Sequence, residues 1–469
     1  MAGGSCRYYA VDGGSGAGLL ALLAARSARL WRVDSPRHAE LLLVLGPVGR
    51  KLGPSVLDAA RALPHPSRAL VVETDEALDT DQVVPGSELL PGSRVLVRPG
   101  LDELEAEALR EDGAVLATSA HQGPSPTRIP QQGAWPELGG TELLTWSLGP
   151  LQPLTAGPLE LRLVCEGEQV VRASVEAGYA RRQVALAMEH TGWAEAAALA
   201  RRVDPLAPWA AQLAYVHALE SLQSVEPSAQ TQALRRTALA LERAMNHLAW
   251  LVRFSRVLAM EPLEHEGARL LERLTRLVRE PWPEPPEVWL APARGAPPLR
   301  PRGLDAIGAL VKACRKLHGR TERARLLKLR TRGLGRLEAH RAREADITGP
   351  VLEASLHGEG DVRARLLTRL ESLHRALEEA RTAPPGEELP GTGRWEAPRG
   401  AATGEVEGPR GRLRLELHSL GGPSPSEVRW HTPSRALLAL LPELLAGTQV
   451  ADAEVIVASL DLSMAEADG

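Results

Sequence analysis

ELLLVLGPVGRKLGPSVLDAARALPHPSRALVV, residues 40–72, reads as strand, helix, strand. Leu41, Leu42, Leu43, Val44 and Leu45 form a continuous apolar run of strand length. Such a run predicts a strand buried on both faces rather than one with a wet side. Pro54 stands where a helix accepts proline, near the start of a helix running to Leu63. Residues 69–72 are a second apolar strand.

Working outward, residues 7–11, 30–33 and 94–97 are further strands, and 19–28 and 101–111 have helical patterning. Strands alternating with helices imply a parallel sheet with helices on both faces, an α/β, flavodoxin-like domain. Asp12-Gly13-Gly14-Ser15-Gly16-Ala17-Gly18 is a glycine loop between the first strand and its helix. A phosphate-binding loop needs Lys and Ser or Thr after its last glycine, and Leu19-Leu20 stand there. A dinucleotide fingerprint needs a third glycine at position 19; Asp34 at a tolerable distance does not replace it. Nucleotide binding is not expected of this loop.

With 469 residues the chain can hold two or more domains, and 44% hydrophobic with 24% charged residues makes it globular. A net charge of −4 gives no basis for a nucleic-acid partner. No apolar run reaches the ~20 residues of a membrane span. The start, MAGGSCRYYAVDGG, lacks the basic-then-apolar layout of a signal peptide, so the cytoplasm is expected, with docking on a membrane complex open. Cys6, Cys165 and Cys314 are far apart and form no C-x-x-C pair. One chain with three scattered cysteines cannot supply four thiolates to an iron–sulfur cluster, and buried, reduced thiols are expected instead.

Residues 102–145 pass from an acidic helix into HQGPSPTRIPQQGAWPELGG, whose composition is that of a linker. Domains are therefore expected at 1–120 and 146–469, with a linker at 121–145. The second half opens with alternation at Leu159, Leu161 and Leu163 and a hairpin turn around Glu166-Gly167-Glu168. Helices follow, broken at Gly192 and at Asp204-Pro205. Glu242, Arg243 and His247 have the spacing of helix surface pairs. Residues 281–302 are proline-rich, and 312–343 form a strongly basic helical stretch. That stretch reads as the solvated face of a bundle helix or as a contact for acidic subunits or lipid headgroups. Strands are expected at 413–417 and 427–430, a leucine helix from Thr432-Pro433-Ser434 to Gly447, an apolar run at 451–460, and an acidic tail at 461–468.

Several strings carry a family resemblance. VDGGSGAGLLALLA with the later SPRHAELLLVLGPVG resembles the cluster loop and continuation of the small iron–sulfur subunit of complex I and energy-converting hydrogenases. The second half resembles the large subunit of the same assemblies, through LGPLQPLTAGPL, Gly178-Tyr179 with Arg182, the Leu241-Glu242-Arg243…Asn246-His247-Leu248 helix, Gly349-Pro350, Asp361, Arg363, Arg369 and Glu371, Glu396-Ala397-Pro398-Arg399-Gly400, and the C-terminal TPS helix running to Asp461. The chain thus looks like a fusion of the two subunits. The resemblance implies that a mainly helical domain with small β-hairpins, like that of the large subunit, follows the α/β domain. It also implies electron transfer from NADH-derived equivalents to a quinone, or hydrogen chemistry at nickel–iron, with cytoplasmic-face docking on antiporter-like membrane subunits.

The same resemblance marks what has changed. The cluster ligands of the small subunit fall on Gly16, Leu19, Asp75 and Leu101, and no metal or cluster is expected in this chain. Two quinone-loop histidines fall on Gln152 and Ala156, and the quinone tyrosine falls on Pro205 beside Asp204. Leu462 to Ala465 stand where hydrogenases hold nickel through cysteines. Nickel needs soft thiolates, and quinone protonation needs a positioned acid. The expected role is that of a redox-inactive structural or coupling subunit, with no assigned catalytic residue. The alternative is an enzyme with a replaced site that binds quinone or a small polar ligand near Asp204, Arg182 and Gln152.

Overall fold

The structure, a computed structural model, describes residues 5–26, 28–64, 67–73, 82–110, 143–279, 301–382 and 394–468. Position 75, most of the segment read as a linker, and the proline-rich stretch up to position 300 lie outside these residues.

Five strands build the first sheet, Leu30–Arg32, Cys6–Asp12, Leu41–Leu45, Arg68–Glu73 and Arg94–Val97 in that spatial order. All pairings are parallel. In chain order this is 2-1-3-4-5, the doubly wound arrangement expected from the strand–helix alternation. Leu42, Val44 and Leu45 are fully buried, as their unbroken apolar run requires. Leu41, Leu43 and Leu45 face one cluster with Tyr8, Leu20 and Leu104, while Leu42 and Val44 face the other with Val56, Ala60 and Val71. The chain order reverses between Cys6–Asp12 and Leu41–Leu45, where open α/β sheets place their ligand crevice. The glycine loop occupies that point.

The second half packs around one long helix, Ala229–Val257, started by a side-chain cap from Ser228 to the Thr231 amide. Helices Glu261–Arg279 and Val362–Arg381 lie against it. The expected hairpin, Glu160–Glu166 with Gln169–Glu176, gains a third strand, Leu143–Leu148, which begins inside the segment read as linker. Gly400–Glu407 likewise adds a strand, missed in the sequence, to Arg412–Ser419 and Glu427–His431. Its Gly404 lies against the Pro208–Gln223 helix so closely that a Cβ would meet the Ala214 carbonyl oxygen at 1.9 Å. That contact explains a glycine inside a strand.

One expectation needs correction. The basic stretch is not one helix: Pro301–Arg323, Arg325–Thr331 and Ala339–Glu344 are separate, and Gly333 and Gly335 between them take positive φ. The apolar run at 451–460 is a helix, Val450–Ser459. The acidic tail packs into the interior, with Asp461 and Glu466 1% and 2% exposed. Among the described residues no helix is long and apolar enough to cross a membrane.

Candidate functional site

Four segments meet where the two halves join. Ala156 donates to the Leu462 carbonyl (2.9 Å) and accepts from the Met464 amide (2.8 Å), so the Gly149–Pro158 loop is zipped to the C-terminal segment. Gly157, at φ +94°, brings this loop against the glycine loop: a Cβ there would lie 3.0 Å from the Gly14 Cα. Gly14 in turn abuts Ala180 and Ala465. Asp468 accepts from the Gly178 and Ala180 amides, both at 2.8 Å.

Behind this junction three arginines face three carboxylates. Asp461, at φ +59°, turns its carboxylate between Arg253 (2.6 Å) and Arg369 (3.2 Å), with Arg410 at 4.0 Å. Arg410 also holds Asp204 and reaches Glu466 at 3.3 Å. Ser463 donates to Asp204 (3.2 Å), and Glu466 accepts from the Ser434 amide (2.9 Å), capping the Pro433–Leu445 helix. Asn246 sits between the charges, its amide placed to accept from Arg410 (2.7 Å) and donate to Asp461 (3.2 Å). Arg369 stacks over the Trp250 ring. Burial lowers the Arg369 pKa, and Asp461 opposes that shift. Every charge in this cluster has an opposite neighbour, which buried charges require.

The motif Glu242, Arg243, His247 does not form helix surface pairs. Glu242 is buried and accepts from the Trp209 (2.6 Å) and Ala210 (2.9 Å) amides, capping the Pro208–Gln223 helix from another helix. His247 is buried against the Ser372 hydroxyl (3.0 Å), and Arg243 reaches the Glu407 carbonyl (3.2 Å). The spacing was visible in the sequence; that Glu242 and His247 point into the interior was not.

The five positions that the resemblance assigns to a quinone site, Gln152, Ala156, Arg182, Asp204 and Pro205, are split by the fold. Asp204 belongs to the charge cluster, and Ala156 is part of the backbone zipper. Gln152 donates to Thr155 (2.9 Å) and to the Leu159 carbonyl (3.2 Å). Arg182 is buried and donates to the Arg202 carbonyl (2.6 Å). Pro205 is half-buried beside Asp204. Of the five, Gln152 alone lines a cavity of about 210 Å³ between the domains. Tyr8, Asp12, Leu20 and Arg32 form its wall on the sheet side, and Thr155, Arg253, Arg256 and Glu264 its wall on the helical side. Asp12 accepts from the Gly14 (2.8 Å) and Gly16 (2.7 Å) amides, yet burial pushes its pKa up. Arg253 and Arg410, which complete the charge cluster, carried no sequence signal. Arg410 lies in a Gly408-Pro409-Arg410-Gly411 turn, a place where arginine is ordinarily solvated.

The residues present do not fit an iron–sulfur cluster. A Cβ on Gly16 would stand 2.3 Å from the Leu45 Cβ, so no side chain fits there. Leu19 and Leu101 pack on the apolar cluster of Tyr8, Leu20 and Leu23. The three cysteines are buried on separate elements, and burial raises each thiol pKa, that of Cys314 to about 12. Among the described residues no group of three or more His, Cys, Asp or Glu is disposed to hold a metal.

Residues 391–469 match the family described as respiratory-chain NADH dehydrogenase, 49 Kd subunit. A D-type subunit of the NADH-quinone oxidoreductase of Roseiflexus sp. (strain RS-1) is 26% identical over 409 residues, 74% of this chain and 97% of that protein. The C/D-type subunit of the NADH-quinone oxidoreductase of Cereibacter sphaeroides (strain ATCC 17025) is 26% identical over 70% of this chain and 67% of its own length. The D-type subunit of the F(420)H(2) dehydrogenase of Methanosarcina mazei is 25% identical over 68% and 96%. In structure the chain resembles one from the archaeal membrane-bound sulfane sulfur reductase, a respiratory membrane complex, with a TM-score of 0.63 at 23% identity over 71% of this chain and 100% of that one, a likeness of fold. The chain is therefore similar to the 49 kDa subunits of respiratory-chain NADH dehydrogenase.

Proposed function

We propose that this chain is a subunit of a complex I-like membrane complex, docked at the cytoplasmic face on antiporter-like membrane subunits, and that it contributes structure or conformational coupling without a redox cofactor of its own. Its first domain is read as a module like the small iron–sulfur subunit, fused to the half that resembles the large one. The reading rests on the relatives above, which carry the names of respiratory subunits. The observation that carries its redox-inactive part is Gly16, where the resemblance puts a cluster thiolate and a Cβ would stand 2.3 Å from Leu45. The charge cluster supports it as well. Asp204, the acid beside the lost quinone tyrosine, is spent on Arg410 and Ser463 and faces no open space.

The test is anaerobic purification from detergent-solubilised membranes, with iron, acid-labile sulfide, nickel and co-purifying subunits measured together. Antiporter-type membrane subunits at equal stoichiometry and no iron held by this chain are expected. One cluster per chain would overturn the cofactor-free role, and a chain recovered free of membrane subunits would overturn the docking.

A further inference from the structure

The cavity between the sheet and the long helix contains a cation that no carboxylate touches. Arg32, the last residue of the Leu30–Arg32 strand, lines it, and among the described residues its guanidinium makes no ion pair or hydrogen bond. Arg256 lines the same cavity, and its Nε is buried without a partner. The two arginines repel one another: the Arg32 pKa is lowered first by burial and next by Arg256, with Tyr8, Asp34 and Asp12 opposing from beyond contact distance. Arg256 has anchors elsewhere, Asp34 (2.7 Å) and Glu264 (3.8 Å), whereas Arg32 has none within ion-pair reach. A half-buried guanidinium with no carboxylate in contact is costly, and Asp34 and Asp12 offset that cost only from a distance, whereas the buried arginines at this junction each touch a carboxylate or a carbonyl.

The rest of the lining narrows what could supply that charge. Ala17, Leu20, Ala21, Ala24, Leu30 and Val252 give an apolar floor of mostly small side chains, and Trp31 stands at the edge, 60% exposed. A cavity of about 150 Å³ holds a benzene ring, and this one is about 210 Å³, one ring with a small substituent. Asp12 and Glu264 also face the space, and both have pKa values raised by burial. A second negative charge on the ligand would meet them, which disfavours a dianion.

We infer that the cavity between the sheet domain and the Ala229–Val257 helix is a binding site for a compact organic monoanion, a carboxylate on a flat apolar body, with Arg32 as its charge partner and Arg256 beside it. The site needs no metal and does not depend on the subunit role proposed above.

The test is calorimetric titration of the full-length chain with benzoate, with benzamide as its neutral near-isostere, and with inorganic phosphate. A charge-assisted contact predicts benzoate tighter than benzamide by on the order of tenfold to a hundredfold. Arg32→Met is expected to erase that difference while keeping benzamide binding. Ala24→Leu, which fills the floor and leaves Arg32 in place, is expected to weaken both ligands and stands in if Arg32→Met fails to fold. Equal affinity for benzoate and benzamide overturns the anion site, no heat from either at millimolar concentration overturns the cavity as a site, and displacement of benzoate by phosphate overturns the apolar-bodied class. Iron found in the chain would leave these outcomes unchanged and bear on the subunit role alone.

Discussion

Arg410 donates to the carboxylate of Asp204 across 206 residues of sequence, with both side chains almost completely enclosed. The turn that carries Arg410 and the break that carries Asp204 are each unremarkable alone. Together with Asp461 and Glu466 they make the C-terminal segment part of the interior.

Removing Arg410 should therefore cost far more than a surface pair would. Arg410→Met leaves Asp204 and Glu466 buried without their shared cation, a loss of about 3–5 kcal/mol. Urea denaturation of the purified chain measures it. Adding Asp204→Leu should recover part of the loss, since two apolar groups replace an orphaned charge, and further destabilisation would show that Asp204 has another essential partner.

Glu242 should behave as a cap and not as a catalytic acid. Glu242→Ala uncovers the Trp209 and Ala210 amides at the start of the Pro208–Gln223 helix. A loss of about 1–3 kcal/mol follows from two buried donors left without an acceptor. A stability unchanged within error would refute the capping role.

His247 sets a pH dependence. Burial, reinforced by Arg369, Arg243 and Arg375, holds its pKa well below the ordinary 6.5. The unfolded chain binds a proton below pH 6.5 that the folded chain refuses, so stability is present above that pH and falls as pH drops. Linkage sets the slope at about 1.4 kcal/mol per pH unit just below this range. Denaturation midpoints measured from neutral pH down through the ordinary histidine range should show it, and His247→Gln should flatten the profile.

Restoring a thiol at the glycine loop should fail for steric reasons. Gly16→Cys places a Cβ 2.3 Å from the Leu45 Cβ, inside a close-packed strand face. Overpacking of this kind costs about 1–3 kcal/mol. Thermal melts of the variant, with iron analysis after reconstitution, are expected to show a lower Tm and no cluster.

The native thiols should resist alkylation. Cys6, Cys165 and Cys314 are all buried with raised pKa values, that of Cys314 pushed up to about 12. Iodoacetamide in mildly alkaline buffer should label none of them in the folded chain and all three in urea, as read by intact mass.

Much of the architecture was legible because burial leaves a period. The Leu41–Leu45 run, the alternation at Leu159, Leu161 and Leu163, and the start of the leucine helix at Thr432-Pro433-Ser434 each report a face or a boundary set within a few residues. The Gly400–Glu407 strand escaped because its glycine and alanines have little strand preference, and contact with the Pro208–Gln223 helix decides it instead.

By itself the sequence determined the doubly wound sheet, the long helix, the hairpin and the lack of thiolates where the resemblance places cluster ligands. Tertiary structure alone decided which arginines the tail carboxylates meet, that Glu242 caps a distant helix, that Arg410 meets Asp204, and that Arg32 faces a cavity with no carboxylate in contact. The reason is physical. Apolar patterning is a local consequence of which face is dry, whereas a charge reads the same in sequence whether water or an opposite charge two hundred residues away solvates it.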